Sequence, residues 1–227
     1  MGFFILYMAI QLKITGDGSH TLYNEELDET YHSTHGALQE SLHVFIKHGL
    51  HFSEQKNIAL NILEVGFGTG LNAYLTILHK FPSTQIKYVS LETNFLKEEI
   101  LESLNYTAQA DEKQKQIFRQ IHQAPINTLT EITNEVKLLK LYSSLQEFSS
   151  SEVFDLIYYD AFGPRVQPEM WTEEIMLKVF KLLKPGGFLV TYCSQGQFKR
   201  NLKAAGFLIE ELPGPPGKRQ MTRAFKK

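Results

Sequence analysis

The chain has 227 residues, 43% of them hydrophobic and 21% charged, which is typical of one globular α/β domain with a small extension. The single cysteine, Cys193, excludes an internal disulfide and fits a reducing, cytoplasmic environment. No apolar run is long enough to cross a membrane. The net charge of −2 does not by itself indicate a nucleic-acid partner.

The two ends of the chain differ in composition. The first ten residues, MGFFILYMAI, are apolar but lack a basic segment and a cleavage site, so we expect no signal peptide. Residues 199–227 contain eight Lys and Arg and two Glu, a net charge of +6, which leaves −8 over residues 1–198. This basic end is either a patch for a phosphate backbone, with Lys218 and Arg219 as candidates, or a solubilising tail.

Predicted strands and helices alternate along the chain. QLKITGDGSHTLYN predicts a hairpin around a Gly-Asp-Gly turn, and GALQESLHVFIKHGL has the spacing of an amphipathic helix. The predicted core strands are IALNILEV, IKYVSLE, EVKLLKLY, VFDLIYYD and GFLVTYC. The predicted helices are TGLNAYLTILHKF, residues 95–122 with a break near Tyr106, TEEIMLKVFKLL and GQFKRNLKAAG. FLIEEL and RQMTRAFK predict a terminal antiparallel pair.

Continuously apolar strands that alternate with helices predict a doubly wound α/β domain, with a parallel sheet covered on both faces. We expect an N-terminal extension of hairpin and helix over residues 1–52 and the main domain over residues 53–227. In such sheets ligands bind beyond the carboxyl ends of the strands, where the strand order switches. Three predicted strand ends therefore matter, EVGFGTG, SLET and YYDAFGP.

The glycine-rich turn LEVGFGTGLN follows the first core strand and opens a helix. Gly66, Gly68 and Gly70 allow a tight turn and let backbone N–H groups approach a ligand. Their spacing differs from the dinucleotide-binding motif and suits a nucleoside without a pyrophosphate, such as S-adenosylmethionine. Glu92, at the end of the second strand, could accept both ribose hydroxyls. The alternative is a plain strand-to-helix turn.

The third core strand runs into LYSSLQEF, where methyltransferases of this fold usually carry a carboxylate near the adenine. Ser144 stands there instead, and a serine hydrogen-bonds adenine more weakly than a charged group does. The cofactor-binding residues predicted on these motifs are Gly66, Phe67, Gly68, Gly70, Asn72, Glu92, Thr93, Ser144 and Asp160.

Four segments together resemble the MnmC-type methyltransferases: VGFGTGLN, YYDAFGPRVQPEMWT, LKPGGFLVTYCSQGQFKRNLKAAGF and GPPGKRQM. YHSTHGALQESLHVF also resembles the family's N-terminal segment, at Tyr31, Ser33, Glu40 and Phe45. The resemblance runs from about residue 20 to the end. It implies a class I S-adenosylmethionine-dependent fold that methylates 5-aminomethyl-2-thiouridine at the tRNA wobble position. Bifunctional members also carry a flavin-dependent oxidase, for which this chain is too short, so it resembles the stand-alone methyltransferase form, MnmD.

The resemblance assigns the chemistry to YYDAFGP, at the end of the fourth core strand. Asp160 would accept an N–H of the amine, orient its lone pair and stabilise the charge that develops on nitrogen. Phe162 would stack on a flipped uracil, in a loop that Gly163 and Pro164 hold rigid. The alternative is that Asp160 satisfies backbone donors and Phe162 fills the core. Trp171 is expected to pack the following helix.

Several further residues are weaker candidates for a functional role. Tyr31, Ser33 and Glu40 precede the first core strand and would either cover the cofactor or pack the fold. His32 and His35 lie close together, but no Cys or carboxylate pattern completes a set of ligands, so we expect no metal.

The leading hypothesis is therefore N-methylation of a tRNA wobble uridine. The anticodon loop would be the partner, and a separate enzyme would make the aminomethyl substrate. A second hypothesis is methyl or aminopropyl transfer to a small free amine. A third is a non-catalytic RNA module that binds S-adenosylmethionine.

Overall fold

A computed structural model of the protein describes residues 10–54 and 58–227. The first nine residues of the apolar opening, where we expect no signal peptide, lie outside the described residues. Two separate sheets organise the described chain. None of the helices in residues 10–54 and 58–227 has the length and apolar character needed to cross a membrane.

The N-terminal sheet contains the predicted hairpin and one further short strand. Its strands are β1 (Ile10–Ile14), β2 (His20–Asn24) and β3 (Glu29–Thr30), in antiparallel order β1-β2-β3. In the Gly-Asp-Gly turn, the Asp17 carboxylate accepts hydrogen bonds from Thr15 Oγ1 at 2.7 Å and from Ser19 N at 3.0 Å. Such side-chain bonding to the local backbone is how Asp stabilises turns.

The main sheet has eight strands in the order β10-β11-β9-β8-β4-β5-β7-β6. Their bounds are β4 (Ala59–Val65), β5 (Gln85–Glu92), β6 (Thr130–Thr133), β7 (Val136–Tyr142), β8 (Phe154–Tyr159), β9 (Leu183–Thr191), β10 (Leu208–Pro213) and β11 (Gln220–Phe225). The five central strands run parallel, whereas β6 at one edge and the β10–β11 pair at the other are antiparallel. The predicted α/β class and the terminal antiparallel pair are confirmed.

Helices connect the parallel strands of the main sheet. The helical segments are α1 (Ala37–Ser41), a π-helical segment (Leu42–Leu50), α2 (His51–Glu54), α3 (Leu71–His79), α4 (Glu98–Glu102), α5 (Glu112–Gln123), a 3-10 turn (Pro168–Trp171), α6 (Glu173–Leu182) and α7 (Gly196–Ala204). The start of α6 agrees with the sequence, because Thr172 Oγ1 accepts a hydrogen bond from Ile175 N at 3.3 Å as an N-cap.

One local prediction is confirmed and two were wrong. The break expected near Tyr106 within residues 95–122 separates α4 from α5, and α5 begins at its own cap, where the Asp111 side chain and Gln114 form a capping box. The segment TEIT, which has β-branched residues, forms the unpredicted edge strand β6 against β7. The LKPGG segment, expected to separate α6 from the next strand, already belongs to β9.

The helical segment at residues 37–54 connects the N-terminal sheet to the main sheet. Phe45 and Leu50 are buried in the same hydrophobic core as Ile62 and Leu156 of the main sheet. The expected domain boundary after residue 52 falls within α2 and stays a prediction, since the side chains before it already pack on the main sheet.

Candidate active site

A cavity of about 1030 Å³ opens where β4, β5, β7 and β8 end. This is the place predicted for ligand binding in a sheet of this order. The far wall is formed by the N-terminal sheet and the segment that follows it, and by the loop between β10 and β11. Residues distant in sequence therefore meet at one site. The predicted site residues that line it are Tyr31, Ser33, Glu40, Gly66, Phe67, Gly68, Glu92, Thr93, Ser144, Asp160, Phe162 and Lys218.

The glycine-rich loop needs glycine for two structural reasons. Gly66 has φ +92°, and a Cβ there would lie 2.7 Å from the carbonyl oxygen of Asp160. Gly68 has φ +50°, and a Cβ there would press on the Tyr31 ring at 3.3 Å. Both positions favour a residue without a side chain. The loop backbone therefore runs against the Asp160 strand end on one side and Tyr31 on the other.

Other residues of the glycine motif support the loop from behind. Gly70 begins α3, and its Cα faces the His122 ring, which a Cβ would approach to 2.8 Å. The Phe67 side chain is buried in the core. Asn72 is 2% exposed and does not line the cavity, and its Nδ2 donates to Asp160 Oδ2 at 2.8 Å.

Glu92 holds the glycine loop and the turn after β5 in one arrangement. Its Oε2 accepts a hydrogen bond from Gly68 N at 2.9 Å, and its Oε1 accepts from Thr93 N and Asn94 N, both at 2.8 Å. Burial raises the pKa of Glu92, while the backbone N–H groups oppose that rise. The carboxylate lines the cavity.

Ser144 lines the cavity beyond the end of β7. Its hydroxyl donates to Glu147 Oε2 at 3.0 Å and accepts from Glu147 N at 3.2 Å. The serine is therefore already bonded within its own turn. Where related folds carry a carboxylate near the adenine, this chain therefore has a neutral side chain whose hydroxyl is already hydrogen-bonded to Glu147.

Asp160 follows β8 directly and faces the cavity. Its backbone N donates to Val65 O at 3.0 Å, which ties the strand end to the start of the glycine loop. Burial, and then the nearby negative charge of Glu40, raise the pKa of Asp160 to about 7, while the Asn72 hydrogen bond and the Lys218 charge lower it. A carboxyl with this pKa changes charge near neutral pH.

Lys218 lies inside the cavity and not on an exposed basic tail. Its ammonium forms an ion pair with Glu40 Oε1 and sits 3.8 Å from the centre of the Tyr192 ring. Glu40 is 6% exposed, and its other oxygen accepts from Ser33 N at 2.8 Å. The ion pair joins α1 to the loop between β10 and β11. Arg219, the second predicted phosphate contact, is exposed and does not line the cavity.

The YYDAFGP loop is held by its own surroundings. The Trp171 indole Nε1 donates to Phe162 O at 2.8 Å, and Tyr192 Oη donates to Ala161 O at 2.8 Å. Trp171 is buried as a packing residue, but the closest ring it meets is Phe198 of α7 and not a residue of the following helix α6, which was the expected partner. Pro164 does not line the cavity.

Phe162 is half-buried, and its ring lines the cavity. The ring meets Tyr31 edge to face at a centroid distance of 5.2 Å. Tyr31 therefore touches both the glycine loop and the Phe162 ring. Burial and the nearby Glu92 raise the pKa of Tyr31 to about 12, so its hydroxyl stays neutral.

Sequence reasoning missed two residues that shape the site. Tyr192 lies one residue after β9, and its position at a strand end was the available signal. His32 was considered only as a metal ligand; its Nε2 lies 2.7 Å from Thr69 Oγ1 of the glycine loop, and burial lowers its pKa to about 4. The histidine is therefore a neutral support for the loop.

The cavity fits S-adenosylmethionine by the chemistry of its wall. The glycine loop brings backbone close to the cavity, Glu92 offers a carboxylate fixed by three backbone donors, and the volume exceeds what one nucleoside needs. The family model for S-adenosyl-L-methionine-dependent methyltransferases matches residues 104–227, more than half of the chain. The chain belongs to this methyltransferase family. The predicted cofactor, S-adenosylmethionine, is the cofactor of the family and is confirmed.

Curated relatives of this methyltransferase are larger proteins. It is 30% identical over 226 residues to a protein of Leptospira interrogans named tRNA 5-methylaminomethyl-2-thiouridine biosynthesis bifunctional protein MnmC, covering 92% of this chain and 34% of the relative. A relative of the same name from Ralstonia nicotianae is 27% identical over 214 residues, covering 90% of this chain and 33% of the relative. The chain spans about a third of the length of these relatives.

A solved structure matches nearly the whole fold of the methyltransferase. The crystal structure of MNMC2 from Aquifex aeolicus superposes with a TM-score of 0.80 at 25% identity, and it covers 98% of this chain and 72% of that one. The similarity to MnmC-type proteins that the motifs predicted is confirmed.

Proposed function

We propose that this methyltransferase transfers a methyl group to the aminomethyl nitrogen of 5-aminomethyl-2-thiouridine at the wobble position of tRNA. The observation that carries the proposal is the pairing of Asp160 and Phe162 in one cavity wall, beside the glycine loop. The names of the MnmC relatives, which refer to tRNA 5-methylaminomethyl-2-thiouridine biosynthesis, support the choice of substrate.

Asp160 would position the amine. S-adenosylmethionine supplies a methyl group on a positively charged sulfur. The amine nitrogen would form a bond to the methyl carbon as the carbon–sulfur bond breaks, so its lone pair must point at that carbon. A carboxylate oxygen of Asp160 that accepts an N–H orients the lone pair, opposes the positive charge growing on nitrogen and can take up the released proton.

Phe162 would hold the base. The residue lines the cavity two positions after Asp160, and its ring meets the Tyr31 ring edge to face. Aromatic side chains commonly stack on bases that are splayed out of single-stranded RNA loops. The anticodon loop is such a segment, and its wobble base would enter the cavity over this ring.

The cofactor would be held by the glycine loop and the end of β5, next to Asp160. Glu92 would accept ribose hydroxyls, and the backbone around Gly66 and Gly68 would pass close to the cofactor because neither residue has a side chain. Tyr31 lies next to both Gly68 and Phe162, and would cover the cofactor on the substrate side.

The test uses cofactor labelled in its methyl group and purified tRNA that carries aminomethyl-2-thiouridine at the wobble position. We expect label in the wobble nucleoside, identified by mass spectrometry after digestion. Matched substrates are the same tRNA without the aminomethyl group and a polyamine. Label in the polyamine but not in the tRNA would favour the small-amine hypothesis. Cofactor binding without transfer to any acceptor would favour the non-catalytic RNA module.

A further inference from the structure

A group of buried polar side chains lies behind Asp160 and is not used by the proposed reaction. Glu64 of β4 is 0% exposed, and its Oε2 accepts a hydrogen bond from Ser90 Oγ at 2.7 Å. Its Oε1 is buried without a hydrogen-bond partner, and so is Oδ1 of Asn72. Asn72 is the residue whose Nδ2 donates to Asp160 at 2.8 Å. The same Asn72 side chain also lies close to Glu64.

The two unsatisfied oxygens raise a hydrogen-bonding problem. A carboxylate such as Asp160 only accepts, so the Asn72 amide must turn its NH₂ toward Asp160 and leave its oxygen toward the protein interior. An ionised Glu64 would offer that oxygen nothing, because it also only accepts. A buried acceptor without a donor is costly, and a protonated Glu64 has one O–H to donate.

Within the part of the chain that the structure describes, the surroundings of Glu64 supply no opposite charge. The groups that face it are hydroxyls, an amide and a carboxyl, and none is a cation: Asn72, Tyr88, Ser90, Tyr158 and Asp160. A buried carboxylate without a cationic partner is strongly disfavoured, and the protonated form removes that cost. Burial, and to a smaller extent the Asp160 charge, raise the pKa of Glu64 to about 8, while the Ser90, Asn72 and Tyr88 side chains oppose that rise.

We propose that Glu64 is a positioning residue that stays protonated at neutral pH and uses its proton to fix the Asn72 amide, which in turn holds Asp160 toward the substrate amine. This inference rests on the role of Asp160 in the proposed function. Glu64 touches neither substrate nor cofactor, and it acts through Asn72. The arrangement leaves the negative charge of Asp160 at the cavity wall and places no charge on Glu64 behind it.

The proton itself is tested on the wild-type protein. With glutamate labelled by ¹³C at the side-chain carboxyl, the NMR signal of Glu64 is identified by its loss in Glu64→Gln. We expect the signal to keep the chemical shift of a protonated carboxyl at pH 7 and to titrate only above it. A signal that titrates near pH 4.5, like an exposed glutamate, would overturn the proposal. This readout does not depend on the tRNA substrate.

The positioning role is tested by rescue and by coupling. Glu64→Ala should lower the single-turnover rate of methyl transfer about 10- to 100-fold with little change in cofactor affinity, and Glu64→Gln should recover most of that loss, since its amide also has a donor. Asn72→Ala should show a similar loss, and the double variant with Glu64→Ala should be no slower than Asn72→Ala alone. Each variant is first checked for native thermal unfolding.

Different outcomes separate this inference from the proposed function. If methyl transfer is as slow in Glu64→Gln as in Glu64→Ala, the donor at position 64 is not what matters. If the rate losses of Glu64→Ala and Asn72→Ala multiply in the double variant, Glu64 does not act through Asn72. If the wild-type protein methylates no tRNA, the proposed function fails, and the NMR titration still decides whether Glu64 holds its proton.

Discussion

At the scale of single residues, the neighbours of Asp160 shift its pKa in opposite directions. Burial and Glu40 raise its pKa to about 7, whereas the Asn72 amide and Lys218 lower it. A group whose pKa is raised in this way is protonated below that pH, and it then lacks the negative charge that opposes the positive charge growing on the amine nitrogen. A bound sulfonium would lower the pKa again, because a nearby positive charge favours the carboxylate.

Asp160→Asn should lower kcat by about 10²–10³ while cofactor affinity stays nearly unchanged, since one preorganised charge opposite the developing ammonium is lost. The rate of the wild-type enzyme should fall as pH falls through the pKa of Asp160, and this dependence should be absent from the variant. Single-turnover rates at saturating tRNA and cofactor across pH 5–9 measure both effects. Transfer by the variant at the wild-type rate would show that the carboxylate is structural.

We expect cofactor binding to require the charged carboxylate of Glu92. Glu92→Ala should weaken cofactor binding by about 1.5–3 kcal/mol, the cost of losing a charged acceptor. Glu92→Gln should not restore the affinity, because both carboxylate oxygens accept from backbone N–H groups and an NH₂ on either side would face a donor. Calorimetric titration with S-adenosylmethionine measures the affinity of each variant. Full affinity in Glu92→Gln would show that the carboxylate is not needed for cofactor binding.

At the scale of elements, the YYDAFGP loop combines a strand end with a braced turn. Asp160 lies at the end of β8 and lines the cavity. The 3-10 turn that follows ends at Trp171, whose indole Nε1 donates to Phe162 O at 2.8 Å. The loop backbone is therefore held independently of the Phe162 side chain. Substituting that side chain should change the cavity surface and leave the loop in place.

Phe162→Ala should weaken use of the tRNA substrate by about 1–3 kcal/mol, the usual contribution of one stacked base. The expected change is in kcat/KM for tRNA, with calorimetric cofactor affinity close to the wild-type value. Phe162→Leu is the matched control, because it keeps apolar volume but has no flat face, and it should recover little. If leucine restores kcat/KM fully, the ring is only a filler of the cavity wall.

At the scale of the whole molecule, much of the C-terminal positive charge is used internally. Lys199 pairs with Glu211 at 2.9 Å, Arg223 with Glu210 at 2.7 Å, and Lys218 with Glu40 in the cavity. The net charge of +6 already counts Glu210 and Glu211, so among these pairs only the one between Lys218 and Glu40 lowers the charge that a phosphate backbone could meet. Arg219 is exposed and remains a candidate contact.

Arg219→Gln should weaken tRNA binding and reduce its salt slope by roughly one, the value for one lost phosphate contact. Lys199→Gln is the matched control, since Glu211 already compensates its charge, and it should change the slope less. Binding is measured over a range of salt concentrations, and cofactor affinity should be the same in both variants. An unchanged slope for Arg219→Gln would make this part of the tail a solubilising surface.

The stability of the fold should depend on pH through Glu64. Its folded-state pKa of about 8 lies above the ordinary value of 4.5, so the folded protein binds more protons than the unfolded chain between these values. The free energy of unfolding should therefore decrease, by an amount on the order of a few kcal/mol, as pH rises from about 5 to 8. Denaturant unfolding at several pH values measures this. Glu64→Gln should flatten the decrease, and an identical pH dependence in the variant would assign it to other groups.

The amino-acid sequence by itself determined the order of strands and helices, the glycine loop and the strand end that carries Asp160. These features depend on local periodicity and on turn residues, which short segments encode. Edge strand β6 escaped prediction, because four residues give little periodicity, whereas the break near Tyr106 that separates α4 from α5 was predicted. Only the tertiary structure decided that Lys218 pairs with Glu40, which is 178 positions away, and that Glu64 lies behind Asp160 with Asn72 as their shared neighbour. Such pairs join residues far apart in sequence, and no local pattern specifies a contact that depends on how whole elements pack.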